Sequence, residues 1–127
     1  MERPPGVPAE FDVRTVVFLR RGDQPPELDE EASTALHHAH LAYLGDLTAR
    51  GIIAVNGPLL DQSDTTMRGM SVYTVPVAEA RRLAEGDPAV RAGRFRVDVA
   101  RWCVAAGRVA FPEHDGPVGE RVAFKDL

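Results

Sequence analysis

The stretch from Leu28 to Arg50 most constrains what this chain can fold into. Leu36, His40, Tyr43, Leu44 and Leu47 follow one another at spacings of four, three, one and three, which is the period of a single helix face. Asp29, Glu30 and Glu31 stand where the positive end of a helix dipole favours acids. Arg50-Gly51 ends the run with a cation and a C-cap glycine. A long helix with one apolar face needs a layer to cover it, and short strand-like runs flank it on both sides. Val13, Val16, Val17, Phe18 and Leu19 form a β-branched and aromatic run within 12–19 that predicts a buried central strand. Ile52 to Val55 predicts a second strand, closed by a turn at Asn56-Gly57-Pro58. One residue on the helix stripe is out of character. His40 is polar, and an imidazole on a buried face must satisfy two ring nitrogens.

The pattern continues with a third strand over Gly69 to Val75. Pro76 ends it and opens a second helix over Val77 to Glu85, where Val77, Ala80, Leu83 and Ala84 share a face. Gly86-Asp87-Pro88 breaks that helix, because a proline disfavours helical conformation at the residue before it. Ala89 to Gly93 suits one more helical turn. Phe95, Val97 and Val99 then alternate with Arg94, Arg96 and Asp98, as in a half-buried strand running to Val104. The order β-α-β-β-α-β predicts an α+β, ferredoxin-like antiparallel sheet with both helices on one face. Residues 1–11 read as a flexible, proline-rich lead-in, 12–106 as one domain and 107–127 as a C-terminal extension without periodicity. The second face of such a sheet needs a cover. A second copy of the same sheet is the simplest one, so a two-fold homodimer through sheet-to-sheet packing is expected, with Trp102 at its interface.

Composition narrows the function classes. At 127 residues, with 44% hydrophobic and 27% charged residues, the chain fits one ordinary domain. A net charge of −4 argues against nucleic acid and anionic membrane surfaces as partners. The arginines at 91, 94, 96 and 101 are interleaved with apolar residues and read as the solvent face of a strand. No run approaches the length of a membrane helix, and 1–10 lacks a signal-type apolar core. The single cysteine, Cys103, permits no internal disulfide and suits a reducing, cytoplasmic setting. Its apolar neighbours predict burial. His37 and His40 could share a helix face, with His114 as a distant third histidine, but no ligand cluster of recognised zinc spacing is present. No metal and no cofactor is therefore expected. Phosphate loops, dinucleotide fingerprints and nucleophile elbows are also missing.

An ordered set of short motifs carries a resemblance. His40-Leu41-Ala42-Tyr43-Leu44, Gly51, Gly57-Pro58-Leu59-Leu60-Asp61, Gly69, Asp87-Pro88-Ala89-Val90-Arg91-Ala92-Gly93, Val99 and Trp102 together resemble the YCII-related family, from about Val13 to Trp102. The resemblance implies a dimeric α/β barrel of two ferredoxin-like units. It implies a pocket with a catalytic histidine and aspartate, which carry over onto His40 and Asp87. Asp61 and Asp23 compete with Asp87 as the acid. It also implies cofactor-independent proton transfer, either elimination, including dehydrochlorination of chlorinated hydroquinones, or isomerisation, on a small cyclic or phenolic compound.

The residues give the same chemistry a physical form. A carboxylate on one nitrogen of His40 would fix its tautomer, and the other could move a proton on a small-molecule ligand. The two helices of a split βαβ unit run antiparallel, so the middle of the first and the end of the second can meet. Gly57, Pro58, Asp61 and Tyr43 are the candidate ligand-binding residues, although Gly57-Pro58 also reads as a simple turn and Tyr43 as core. Met67 and Met70 read as fillers. A non-catalytic binding or accessory module with the same fold remains the alternative.

Overall fold

The structure is a computed structural model, and it describes residues 2–111 and 120–126. His114, and with it that part of the metal reading, lies outside the described residues. The elements are β1 (Glu10–Arg21), α1 (Glu30–Ala49), β2 (Ile53–Pro58), β3 (Met67–Tyr73), α2 (Val77–Glu85), α3 (Pro88–Arg91), β4 (Phe95–Ala105) and β5 (Glu120–Ala123). A short 3-10 turn, Phe124–Asp126, follows. The sheet order is β2-β3-β1-β4, with β5 also paired to β1. Every pairing is antiparallel. This is the ferredoxin-like arrangement that the element order predicts.

The long helix forms where its end signals stand. Asp29 is its N-cap and accepts the Ala32 amide at 2.8 Å. Gly51 takes a positive φ of 75° just past the C-cap, a conformation that suits glycine. The helix presses Leu47 into a core shared with Val17 and Leu19 of β1, Ile53 of β2, Tyr73 of β3 and Leu83 of α2. Phe95, Val97 and Val99 of β4 pack against the same cluster. All helices therefore lie on the face carrying the odd-numbered residues of β1, because strand side chains alternate. The opposite face carries a second, smaller cluster of Val16 and Val72 with Phe18, Ala54, Met70 and Phe111. A glycine is required at the corner where β1 leaves the sheet. A Cβ on Gly22 would lie 2.0 Å from the Gly93 carbonyl oxygen, and the Gly22 amide donates to Arg94 at 2.8 Å.

Four local readings are corrected. Asn56-Gly57-Pro58 is not a turn but the end of β2, with Gly57 opposite Met70 and Pro58 opposite Gly69. β2 is an edge strand, so a proline there costs no ladder hydrogen bond. β1 is longer than expected at both ends, taking in Glu10 and Phe11 of the lead-in and running to Arg21. The C-terminal region supplies a strand, β5, whose Glu120 to Ala123 pair with Val13 back to Glu10. Cys103 is exposed rather than buried. The helices cover β4 only as far as Val99, and the strand beyond it is open. Trp102, 41% exposed in the single chain, stands on the open face beside Val16, Phe18 and Met70.

Candidate active site

The site begins with a helix break. Pro88 keeps Asp87 out of helical conformation, at φ −59° and ψ 129°, so α2 stops and α3 starts afresh with Asp87 as its N-cap. One carboxylate oxygen of Asp87 accepts the Ala89 amide at 2.9 Å. The other lies 2.6 Å from Nδ1 of His40. Asp87 is 1% exposed and His40 8%. Two tight contacts thus hold a buried carboxylate that has little freedom to turn, and that length is typical of a charge-assisted hydrogen bond. With Nδ1–H donating to Asp87, the Nε2 of the neutral ring carries the lone pair. The edge of Phe95 meets the His40 ring at 5.3 Å between centroids and braces it from β4.

Tyr43, one turn along α1, reinforces this junction from below. Its hydroxyl donates to the Leu83 carbonyl in the last turn of α2 at 2.7 Å. Gly86 permits that approach, because a Cβ there would lie 2.6 Å from the Tyr43 oxygen. Burial, aided by the Asp87 carboxylate, pushes the Tyr43 hydroxyl above its ordinary value, so it remains a donor. Tyr43 therefore clamps α1 to α2, packs against the core as its second reading has it, and is not among the residues that line the cavity described next.

His40 opens on a cavity of about 170 Å³. That is below the roughly 300 Å³ at which drug-sized pockets begin. Gly57 and Pro58 line it, together with Asn56 from the same strand. Leu19, Leu41, Leu44, Met70 and Phe95 make it largely apolar, and Ser71, His37 and Arg68 complete it. Asp61 does not line it. It sits in the β2–β3 connection with a positive φ of 56°, where the backbone turns. Asp23 is exposed and approaches Arg96 at 3.7 Å, so it too is not the acid of the pair. Among the described residues no group of three metal-ligating side chains occurs, and His37 and His38 are exposed.

Volume alone would select another place. A cavity of about 560 Å³ lies between the start of α2 and the strands, lined by Thr15, Pro76, Arg101 and Glu120 among others. Among the described residues its two charged groups pair with each other at 2.7 Å, and no imidazole lines it. A buried acid–base pair beside a void is the stronger mark of chemistry. Phe95, Ser71 and Arg68 were not singled out as site residues by the sequence. Phe95 was legible only as one face of a strand. The irregular pairing that brings Arg68 to the rim has no local sequence signal.

The site thus has the character of an acid–base pocket on a ferredoxin-like sheet. The YCII-related domain model matches residues 16–103, and the chain belongs to the YCII-related family. No curated protein matches it. Among solved structures, a 5-chloro-2-hydroxyhydroquinone dehydrochlorinase from Burkholderia phenoliruptrix, in complex with 2,5-dihydroxybenzoquinone, is similar to it. The two share 30% identity over 69% of this chain and 92% of that one, with a TM-score of 0.48. No helix among the described residues is long and apolar enough to cross a membrane.

Proposed function

We propose that this chain is a small-molecule enzyme in which His40 transfers a proton and Asp87 orients it. The observation that carries this reading is the 2.6 Å contact between the buried Asp87 carboxylate and His40 Nδ1, with the same ring lining a cavity. Nε2 takes a proton from a hydroxyl or an acidic carbon of a small cyclic or phenolic compound. The electron pair left behind shifts a double bond or expels a leaving group such as chloride. The proton then returns from His40 to substrate or to water, and Asp87 stabilises the imidazolium between the two steps. Gly57 and Pro58 help shape the wall of the same cavity. Family membership supports the reaction class as an analogy.

The working form proposed is a homodimer in the cytoplasm, with 12–106 as the catalytic domain. The open sheet face supports the dimer. Val16, Phe18, Met70 and Trp102 line a groove of about 230 Å³ there, an apolar surface of the kind that marks an interface. Light scattering should return about twice 13.8 kDa; the monomer mass at micromolar concentration would contradict the sheet-to-sheet assembly. For the reaction, the protein is incubated in D2O with chlorinated and unchlorinated hydroquinones. Chloride release and loss of ring C–H signals are followed by NMR. Turnover that disappears in His40→Asn supports the reading. Binding without any exchange or release would favour the binding-module alternative, and turnover unchanged in His40→Asn would refute the role of His40.

A further inference from the structure

The cavity beside His40 has a charge asymmetry that the histidine–aspartate pair does not account for. Among the described residues its wall carries one guanidinium, Arg68, and two imidazoles, but no carboxylate. The acid of the site, Asp87, stands behind the His40 ring and is not in the wall. Arg68 takes part in none of the ion pairs among the described residues.

The backbone explains how an arginine reaches this place. Leu19 pairs with Gly69, but the next residue of β1, Arg20, pairs with Met67, so β3 carries one extra residue at Arg68. An extra residue of this kind bends the strand and re-aims a side chain, and such bulges are common beside active sites. The Arg68 carbonyl is held by the Leu59 amide at 3.0 Å, while the residue stays exposed at the cavity rim. Further along β3, Ser71 lines the same cavity and is only 5% exposed. Its hydroxyl has no hydrogen bond to a described residue and is available to a ligand. Besides Asn56 and the two imidazoles, the other side chains of the wall are apolar and include the Phe95 ring.

We propose that Arg68, with the Ser71 hydroxyl deeper on the same strand, binds an anionic oxygen of the ligand. The ligand class is then a small aromatic or enolic oxyanion, its ring against Phe95 and Leu44. The proposal rests on the reading of His40 as the proton-transferring group and gives that site its charge selectivity. When His40 removes a proton from a neutral ring compound, the substrate is left with a negative charge. A guanidinium already in place stabilises that charge as it forms. A substrate bound as the phenolate meets the same group on entry. Arg68 touches the ligand's oxygen and does not move the proton.

The test uses the full chain and 4-nitrophenol, whose visible absorbance reports the phenolate, with 4-nitroanisole as a neutral analogue of the same shape. The parent protein should bind the phenolate at least ~10-fold more tightly than the anisole, the effect of one charge-assisted hydrogen bond. Arg68→Gln should erase that preference by weakening phenolate binding at least ~5-fold more than anisole binding, and Arg68→Lys should restore part of it. Because Arg68 is exposed, the variant should keep the parent's melting temperature. Equal binding of phenolate and anisole by the parent overturns the proposal. So does a phenolate preference that survives in Arg68→Gln. The two readings fail separately. If proton exchange is lost in His40→Asn but phenolate affinity ignores Arg68, only the anion site fails. If the preference follows Arg68 but turnover ignores His40, the anion site stands and the role of His40 fails.

Discussion

Asp87 and Asp12 are both almost fully buried carboxylates, 1% and 4% exposed. Each accepts one backbone amide, from Ala89 at 2.9 Å and from Gly107 at 2.8 Å. Each then meets a basic side chain. Asp12 receives Arg121 through Nε at 2.6 Å and a terminal nitrogen at 3.2 Å, with Arg14 at 3.6 Å. The difference lies in what the bases have left over. Arg121 spends its fork on the carboxylate, and neither it, Asp12 nor Arg14 lines any of the three cavities described. That cluster ties β5 and the start of the C-terminal region to β1. His40 gives Asp87 one nitrogen and keeps a second beside a void. A buried ion pair is thus no sign of function on its own; an unspent acceptor facing a cavity is what separates the two.

The largest expected effect on this contrast is kinetic. Once a substrate is in hand, His40→Asn should lower turnover by at least ~10²-fold, the usual worth of a positioned acid–base group. Arg121→Ala should leave the turnover number within twofold. Similar losses in both variants would erase the distinction drawn between the two pairs.

Next comes stability. Asp87→Ala removes a helix cap and strands a buried imidazole, and should cost about 3 kcal/mol in urea unfolding. Asp87→Asn keeps a capping oxygen and should cost less than half of that. A loss under about 1 kcal/mol for the alanine variant would mean that the junction of α1 and α3 does not depend on this pair.

The smallest effect concerns acid. The Arg121 hydrogen bond holds the Asp12 carboxyl at about 2, against burial, with help from the Gly107 amide and from Arg14. Its ordinary value is 3.8. A depressed value means that the folded state favours the ionised form. The contribution is present above pH ~4 and lost as pH falls towards ~2. Its size is about 1 to 2 kcal/mol, reduced because Arg121 is half exposed. Asp12→Asn should flatten this acid limb in a pH series of unfolding curves, and an unchanged limb would assign it to other groups.

Much of this arrangement was legible in the residues, for identifiable reasons. Pro76 and Gly86 bracket α2, and its observed bounds, Val77 and Glu85, are those the periodicity predicts. The Asp-Pro break that ends α2 also places the Asp87 carboxylate, so the local signal and the site coincide. Of the three candidate aspartates, the fold brings Asp87 to His40. What failed was long-range. Gly57-Pro58 has the local form of a turn, and only its place at the sheet edge lets it remain strand. Glu120 to Ala123 is too short and too isolated to announce a strand, and it becomes one by pairing with β1. The apolar neighbours of Cys103 predict burial, but cover depends on where the helices end. The extra residue at Arg68 is a matter of register between β1 and β3, which no local pattern records.

The most direct test of the His40 assignment is a long-range ¹H–¹⁵N correlation spectrum of the histidine rings, taken at a pH where His40 is neutral. The geometry predicts that His40 carries its proton on Nδ1, that this proton exchanges slowly, and that Asp87→Asn abolishes the signal. An Nε2-protonated His40, or a spectrum indifferent to Asp87→Asn, would contradict it.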